Sequence, residues 1–203
     1  VYTTVIEKNW SNNFRPILND KGMMGESSMS AKNMIITIGR QYGSGGHEIG
    51  RKIADELGIR FYDEQIIDSA AVNSKISEDK FCLEKKVIQN AARESCVIVG
   101  SCANIVLGDI DKSLAAFIYA PIEYRIQRVR DLYLSGSTEE AIAQIRRVDK
   151  NRRNYYQYYT DYEWGTHEGH DILIDSSTYG IDGTARILVD LAKIKYEALR
   201  AAA

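Results

Sequence analysis

Short, continuously apolar runs alternate along the chain with longer stretches whose apolar positions recur every three or four residues. The runs "MIITI", "IRFY", "CVIVG", "LAAFIYA" and "DILID" predict strands, because apolar runs too short for helices, bounded by turn residues, suit strands buried on both faces. The amphipathic stretches predict helices over 46–57, 64–72, 79–94, 122–134, 138–159 and 181–199. That alternation predicts an α/β, three-layer fold with roughly five parallel strands and helices on both faces. "STEEAIAQI" carries a helix start, with Ser137 or Thr138 as cap and acids in the first turn. Residues 1–33 lack sustained periodicity and end in "GMMGESSMSAKN". They read as a flexible N-terminal extension to a domain over 34–203, with Met34 a natural start for that domain.

Composition narrows the class of protein. At 203 residues the chain fits one domain with a full core, and 44% hydrophobic residues with only two prolines fit a folded chain. A net charge of -2 argues against a nucleic-acid binder, which draws affinity from surplus Lys and Arg. Cys82, Cys96 and Cys102 are an odd number without paired metal spacing, so neither a disulfide framework nor a zinc site is indicated. No apolar run approaches the roughly 20 residues of a membrane helix, and the start lacks a signal-peptide core. A cytoplasmic protein with no membrane partner is expected, and a homo-oligomer is compatible with the composition.

The first predicted strand runs into "GRQYGSGGHEIGRKIADEL". A P-loop, G-x-x-x-x-G-K-[ST], follows a strand, and its backbone N–H groups and the next helix N-terminus cradle phosphate. Aligned on Gly45, this loop has Arg40 at the first glycine, Gly46 at the lysine and His47 at the hydroxyl. The strict motif fails there, but the context fits, and Gly43, Ser44, Gly45 and Gly46 leave the backbone open to close approach. Two other readings compete. A dinucleotide loop would need a third glycine at Glu48, although Asp63 lies near the distance of a ribose-binding acid; a tight turn without ligand is the second.

Taken whole, the chain resembles the cytidylate kinase-like branch of the P-loop nucleoside monophosphate kinases. The segments that carry the resemblance are "IITIGRQYGSGGHEIGRKIADELGIRFYDEQII", "CVIVGSCANIVL", "FIYAPIEYRIQRV", "RRVDKNRRNYYQYYTDYEWG" and "DILIDSSTYGID". G-S-G-G in place of G-x-G-K is a trait of that branch. The resemblance implies a five-stranded parallel sheet, a P-loop for ATP with Mg²⁺, an acceptor site across the strand ends and a helical lid over about 135–168. The implied activity is transfer of the γ-phosphoryl of MgATP to a nucleoside monophosphate or related small molecule, in which positioning and charge stabilisation do most of the catalysis.

Such chemistry needs positive charge. "RRVDKNRR" matches the lid, with Arg152 the first catalytic candidate, Arg147 and Arg153 behind it, and Asp149 at the lid carboxylate. A solvated ion-pair surface is the plainer reading of the same run. Arg40, Gly43, Ser44, Gly45, Gly46, His47 and Glu48 are the candidate ATP-phosphate contacts, and Arg51 and Lys52 read as surface charges. Glu48 aligns with the family's magnesium-binding hydroxyl and is the candidate Mg²⁺ ligand; a first-turn acid favoured by the helix dipole is the alternative. Asp63, Ser101, Arg125 and Arg128 are the candidate acceptor contacts.

Asp68 stands where cytidylate kinases carry an acceptor-phosphate arginine, and Ser101 where another follows "CVIVG". The connection between these segments is also short for a monophosphate-binding lobe. Tyr155, Tyr159 and Tyr162 read as a contact face of one helix. His167 and His170 lack zinc spacing, and Asp175 is either a family turn residue near the adenine side or a helix cap.

Overall fold

Five parallel strands form one sheet in the order β2-β3-β1-β4-β5. The computed structural model describes residues 33–72, 80–100, 102–108, 113–133 and 137–202. The strands are β1 (Ile35–Arg40), β2 (Arg60–Asp63), β3 (Cys96–Val99), β4 (Ser113–Tyr119) and β5 (Ile172–Asp175). Each predicted strand is present, its ends within two residues of those expected. The helices are α1 (Gly46–Leu57), α2 (Glu64–Val72), α3 (Lys80–Ala91), α4 (Ala103–Val106), α5 (Ile122–Tyr133), α6 (Thr138–Tyr159) and α7 (Ser176–Ala201). Of the expected 79–94 helix, Asp79 lies outside the described residues, as do residues 1–32 and Leu134.

The strands are apolar throughout because both faces are covered. Ile36 and Ile38 of β1 pack with Ile49 and Ile53 of α1 and Leu188 and Val189 of α7. Ile35 packs on the other face with Val87 and Ile88 of α3 and Ala103 of α4. Gly50 lets α1 lie close to the sheet, since a Cβ there would stand 2.7 Å from Val99 Cγ2. Ser137 caps α6 in a capping box with Glu140. Asp175 caps α7, its Oδ1 accepting the Ser177 N–H at 2.8 Å, which favours the capping reading of that residue. The four-residue α4 has no counterpart in the sequence pattern, and α7 starts earlier than expected, turning through Gly180 (φ 66°, ψ 177°) before Ile181.

β1 pairs with β3 on one side and β4 on the other, so the chain reverses direction across the sheet at β1. Ligands of open parallel sheets bind at the strand carboxyl ends beside such a reversal, and there the loops after β1, β3 and β4 meet. At its opposite end β1 is held by the phenol of Tyr196, which accepts the Ile35 N–H at 2.6 Å and lies 3.2 Å from the Ile35 carbonyl oxygen. Tyr196→Phe removes a partner from a buried strand amide and is expected to cost about 1–3 kcal/mol in urea unfolding, with the circular dichroism of the folded state unchanged.

Candidate functional site

The loop after β1 is shaped by contacts that demand glycine. Gly43 and Gly45 hold φ of 82° and 81°, where a side chain is strained. A Cβ on Gly45 would collide with Ile181 Cδ1, and one on Gly46 would stand 2.6 Å from Arg40 Cβ. Gly46, at the lysine position of a P-loop, is thus the place where the Arg40 stem crosses. The first helical bond of α1 runs from Ile49 N–H to Gly45 O. The amides of Gly46, His47 and Glu48 precede it and point out of an open helix N-terminus, which favours anions.

Ser44, a candidate phosphate contact, is fully buried. Its hydroxyl lies 2.9 Å from Gln41 O and 3.1 Å from Ile118 O, and its own carbonyl accepts from Ser176 Oγ at 2.7 Å. Its side chain holds the loop to β4 and α7 and is unavailable to a phosphate.

Two arginines of α5 leave the acceptor side assigned by the resemblance. Arg125 is buried, and its Nη1 donates to Asp149 Oδ2 at 2.6 Å. Asp149 Oδ1 accepts the Tyr42 N–H at 2.7 Å. The lid carboxylate therefore clamps the glycine loop, and Arg125 is its counter-ion. One turn on, Arg128 donates to Glu48 Oε1 at 2.9 Å, with its Nη2 3.4 Å from where a Gly45 Cβ would be. Arg128 thus stands over the phosphate loop, and Glu48, the candidate magnesium ligand, is its partner. No group of three or more His, Cys, Asp or Glu suited to a metal occurs among the described residues.

Arg40 and Arg152 converge at the strand ends. Arg40 pairs with Glu64 at 2.8 Å and its guanidinium lies where a Cβ on Gly100 would go. Arg152 donates to Arg40 O at 3.3 Å, beside the Tyr42 ring. Burial first, then the Arg40 charge, lowers the Arg152 pKa to about 10. Two cations held together in a desolvated place are suited to an anion shared between them. Arg152 follows Ala141, Ile145 and Asp149 on the inward face of α6, whereas Arg147 and Arg153 are exposed, the latter over the Trp164 ring at 5.6 Å. Lys52 pairs with Asp182 and Arg51 lies over Phe61, so neither replaces the P-loop lysine.

His47 Nε2 lies 3.0 Å from Asp63 Oδ2, while Asp63 Oδ1 accepts from Ile66 N–H and starts α2. Burial acts to raise the Asp63 pKa, but the hydrogen bonds from His47 and Ile66 outweigh it and bring it below the usual value. Ser101 lies outside the described residues. Tyr159 stacks on Phe81 of α3 at 3.8 Å and Tyr155 bonds Glu84, so these two form the expected contact face; Tyr162 does not share it, because α6 ends at Tyr159.

A cavity of about 40 Å³ beside Arg40 and Arg152 is also lined by Thr37 and Asn104, which the sequence pattern does not single out for ligand binding, and by His170, considered there only as a metal ligand. Asn104 sits on the unrecognised α4. His170 comes into place because residues 160–171 run back across the sheet face, its ring against Phe117 at 5.4 Å.

The five-stranded parallel order, the loop between β1 and α1 and the helices on both faces define the P-loop kinase fold. The chain belongs to the Cytidylate kinase-like family, whose model matches residues 35–85 and 80–178. The two matched segments meet in the short connection between β2 and β3. Among solved structures, an uncharacterized protein from Eubacterium ventriosum ATCC 27560 is 28% identical with a TM-score of 0.73, covering 79% of this chain and 99% of that one. Shikimate kinase from Bacteroides thetaiotaomicron is 14% identical with a TM-score of 0.51, covering 79% and 98%, a likeness of fold alone. A search of the curated proteins returns no match.

Two outcomes follow from this geometry. Asp149→Ala leaves Arg125 buried without its counter-ion and should cost about 3–5 kcal/mol in urea unfolding, whereas Arg147→Ala at the exposed face should stay within about 0.5 kcal/mol. Burial lowers the His170 pKa, so the folded form takes up its proton at lower pH than the unfolded form. Stability should therefore decline as pH falls below about 6.5, and His170→Asn should flatten that part of the pH–stability curve.

Proposed function

We propose that this protein transfers the γ-phosphoryl group of MgATP to a small anionic acceptor, a nucleoside monophosphate or a related molecule. The observation that carries the reading is the placement of Arg128 over the glycine loop and of Arg40 and Arg152 together at the adjoining strand ends. The charge that a P-loop lysine would supply has a replacement from α5, and the transferring group has two further cations beside it. The open amides of α1 suit polyphosphate oxygens. Glu48 offers a hard oxygen to Mg²⁺, which needs few protein ligands beside nucleotide phosphates.

In this reading α1 and Arg128 bind and orient the donor phosphates. Arg152, held by Arg40 O and seated over the Tyr42 ring, meets the charge that develops on the transferring group. Asp149 acts as a positioning residue by fixing the Tyr42 amide and hence the loop. A second reading, nucleotide binding without turnover, is favoured by the Arg128–Glu48 pair, which satisfies both groups internally.

ADP formation from MgATP against a panel of acceptors, with ATP affinity measured in parallel, separates the two. Acceptor-dependent ADP release supports transfer, and binding without release supports the second reading. Arg152→Ala should lower kcat by about 10²–10³-fold while changing ATP affinity little; unchanged turnover removes Arg152 from the site.

A further inference from the structure

We propose that the cavity beneath Arg40 and Arg152 takes the acceptor, and that this acceptor is a small hydroxylated anion, a hydroxy carboxylate or its phosphate-ester counterpart, rather than a nucleoside monophosphate. The inference rests on the phosphoryl-transfer reading above and narrows its substrate.

Size is the first ground. The recess is partly open and holds about 40 Å³, where one water needs about 10–15 Å³ of such space. It admits the few heavy atoms of an anion and its neighbouring hydroxyls, and a base and a ribose would lie outside it, away from these polar groups. Its upper limits are fixed by packed groups: Phe117 and Trp164 meet edge to face at 5.2 Å, and Tyr155 and Tyr156 are anchored by Glu84 and Asn104.

The polar groups of the floor are the second ground. Thr37 is 2% exposed in the middle of β1, and its hydroxyl has no hydrogen-bond partner. A buried polar group left so costs about 1–3 kcal/mol, at a strand position where Val would pack without that cost. His170 Nδ1 lies 3.0 Å from Thr166 O and 3.2 Å from Glu168 O. Two carbonyl oxygens place the ring proton on Nδ1 and leave Nε2 as a lone-pair acceptor. Nε2 faces Gly39, where a Cβ would stand 3.3 Å away, so the missing side chain keeps this acceptor open. Asn104 spends Nδ2 on Tyr156 Oη and Gly169 O, at 3.2 and 3.0 Å, which leaves Oδ1 as a second acceptor.

The floor thus offers two acceptors and one hydroxyl, a set that pairs with the O–H donors of a ligand. The rim offers Arg40 and Arg152, which lie between its anionic group and the transferring phosphoryl group and serve both. A compact molecule bearing both kinds of group satisfies the whole set.

The test is thermal stability of the full chain in MgADP, with D-glycerate, shikimate and glycerol 3-phosphate as hydroxylated probes and CMP and UMP as the nucleotide arm. Carboxylate and phosphate probes distinguish the two sources of the anion. At least one hydroxylated probe should raise the Tm beyond MgADP alone while CMP and UMP do not. Thr37→Val, which keeps the shape of the side chain, should weaken that probe's affinity about tenfold, and His170→Asn should weaken it independently. A shift with CMP or UMP alone overturns the substrate class. A hydroxylated-anion shift unchanged in both variants overturns the site. A shift with MgADP but with no probe overturns this inference and leaves the phosphate-loop reading standing. Absence of any MgADP shift overturns the reading on which it rests.

Discussion

The Asp149 carboxylate is the joint on which the site depends. One oxygen receives the Tyr42 amide of the glycine loop and the other the Arg125 guanidinium, so a single group ties β1, α5 and α6 together. Both charges are buried, and burying an ion pair rarely adds stability over an apolar one. What it provides is position. Tyr42 fixed in this way packs against the cluster of Val129, Ala141 and Ile145, and Gln144 bonds its hydroxyl, so the α5–α6 pair is assembled around the loop. Arg128, one helical turn beyond Arg125, and Arg152, one turn beyond Asp149, then reach the two sides of the loop as a consequence of helix periodicity.

This arrangement changes how a phosphate loop is charged. A P-loop lysine carries its cation on the loop itself, close to the backbone cradle. Here Gly46 occupies that place because the stem of Arg40 passes through it, and the cations come from neighbouring elements. Guanidinium groups are suited to this work: their planar forks hold two oxygens at once and keep their charge when partly buried. Arg152 keeps a pKa of about 10 despite its burial and the Arg40 charge, so it stays cationic at neutral pH.

Much of the fold was legible in sequence because the strands are buried on both faces and apolar runs of that kind have few alternatives. The bounds of α1, α2 and α6 follow from Gly46, from Glu64 after Asp63 and from the Ser137 cap, which are local signals. The four-residue α4 was not legible, since one turn of helix has no periodicity to detect. Among the site residues, Arg152, the first lid candidate, lies on the inward face of α6 while Arg147 and Arg153 are exposed, and the side chains of Ser44, Arg125 and Arg128, read as ligand contacts, bond within the protein. Thr37 and Asn104 drew no ligand-binding signal, because each is ordinary among its own neighbours in the chain, and His170 was weighed only as a metal ligand without zinc spacing.

By itself the sequence determined the layer order, the loop that opens toward phosphate and the surplus of arginine in α5 and α6, since these depend on local periodicity, glycine content and residue type. Only the tertiary structure decided which arginine is spent on Asp149, which stands over the loop and which lines the cavity. That choice turns on whether a buried carboxylate or an open amide lies within about 3 Å of a side chain, a distance set by segments far apart in the chain.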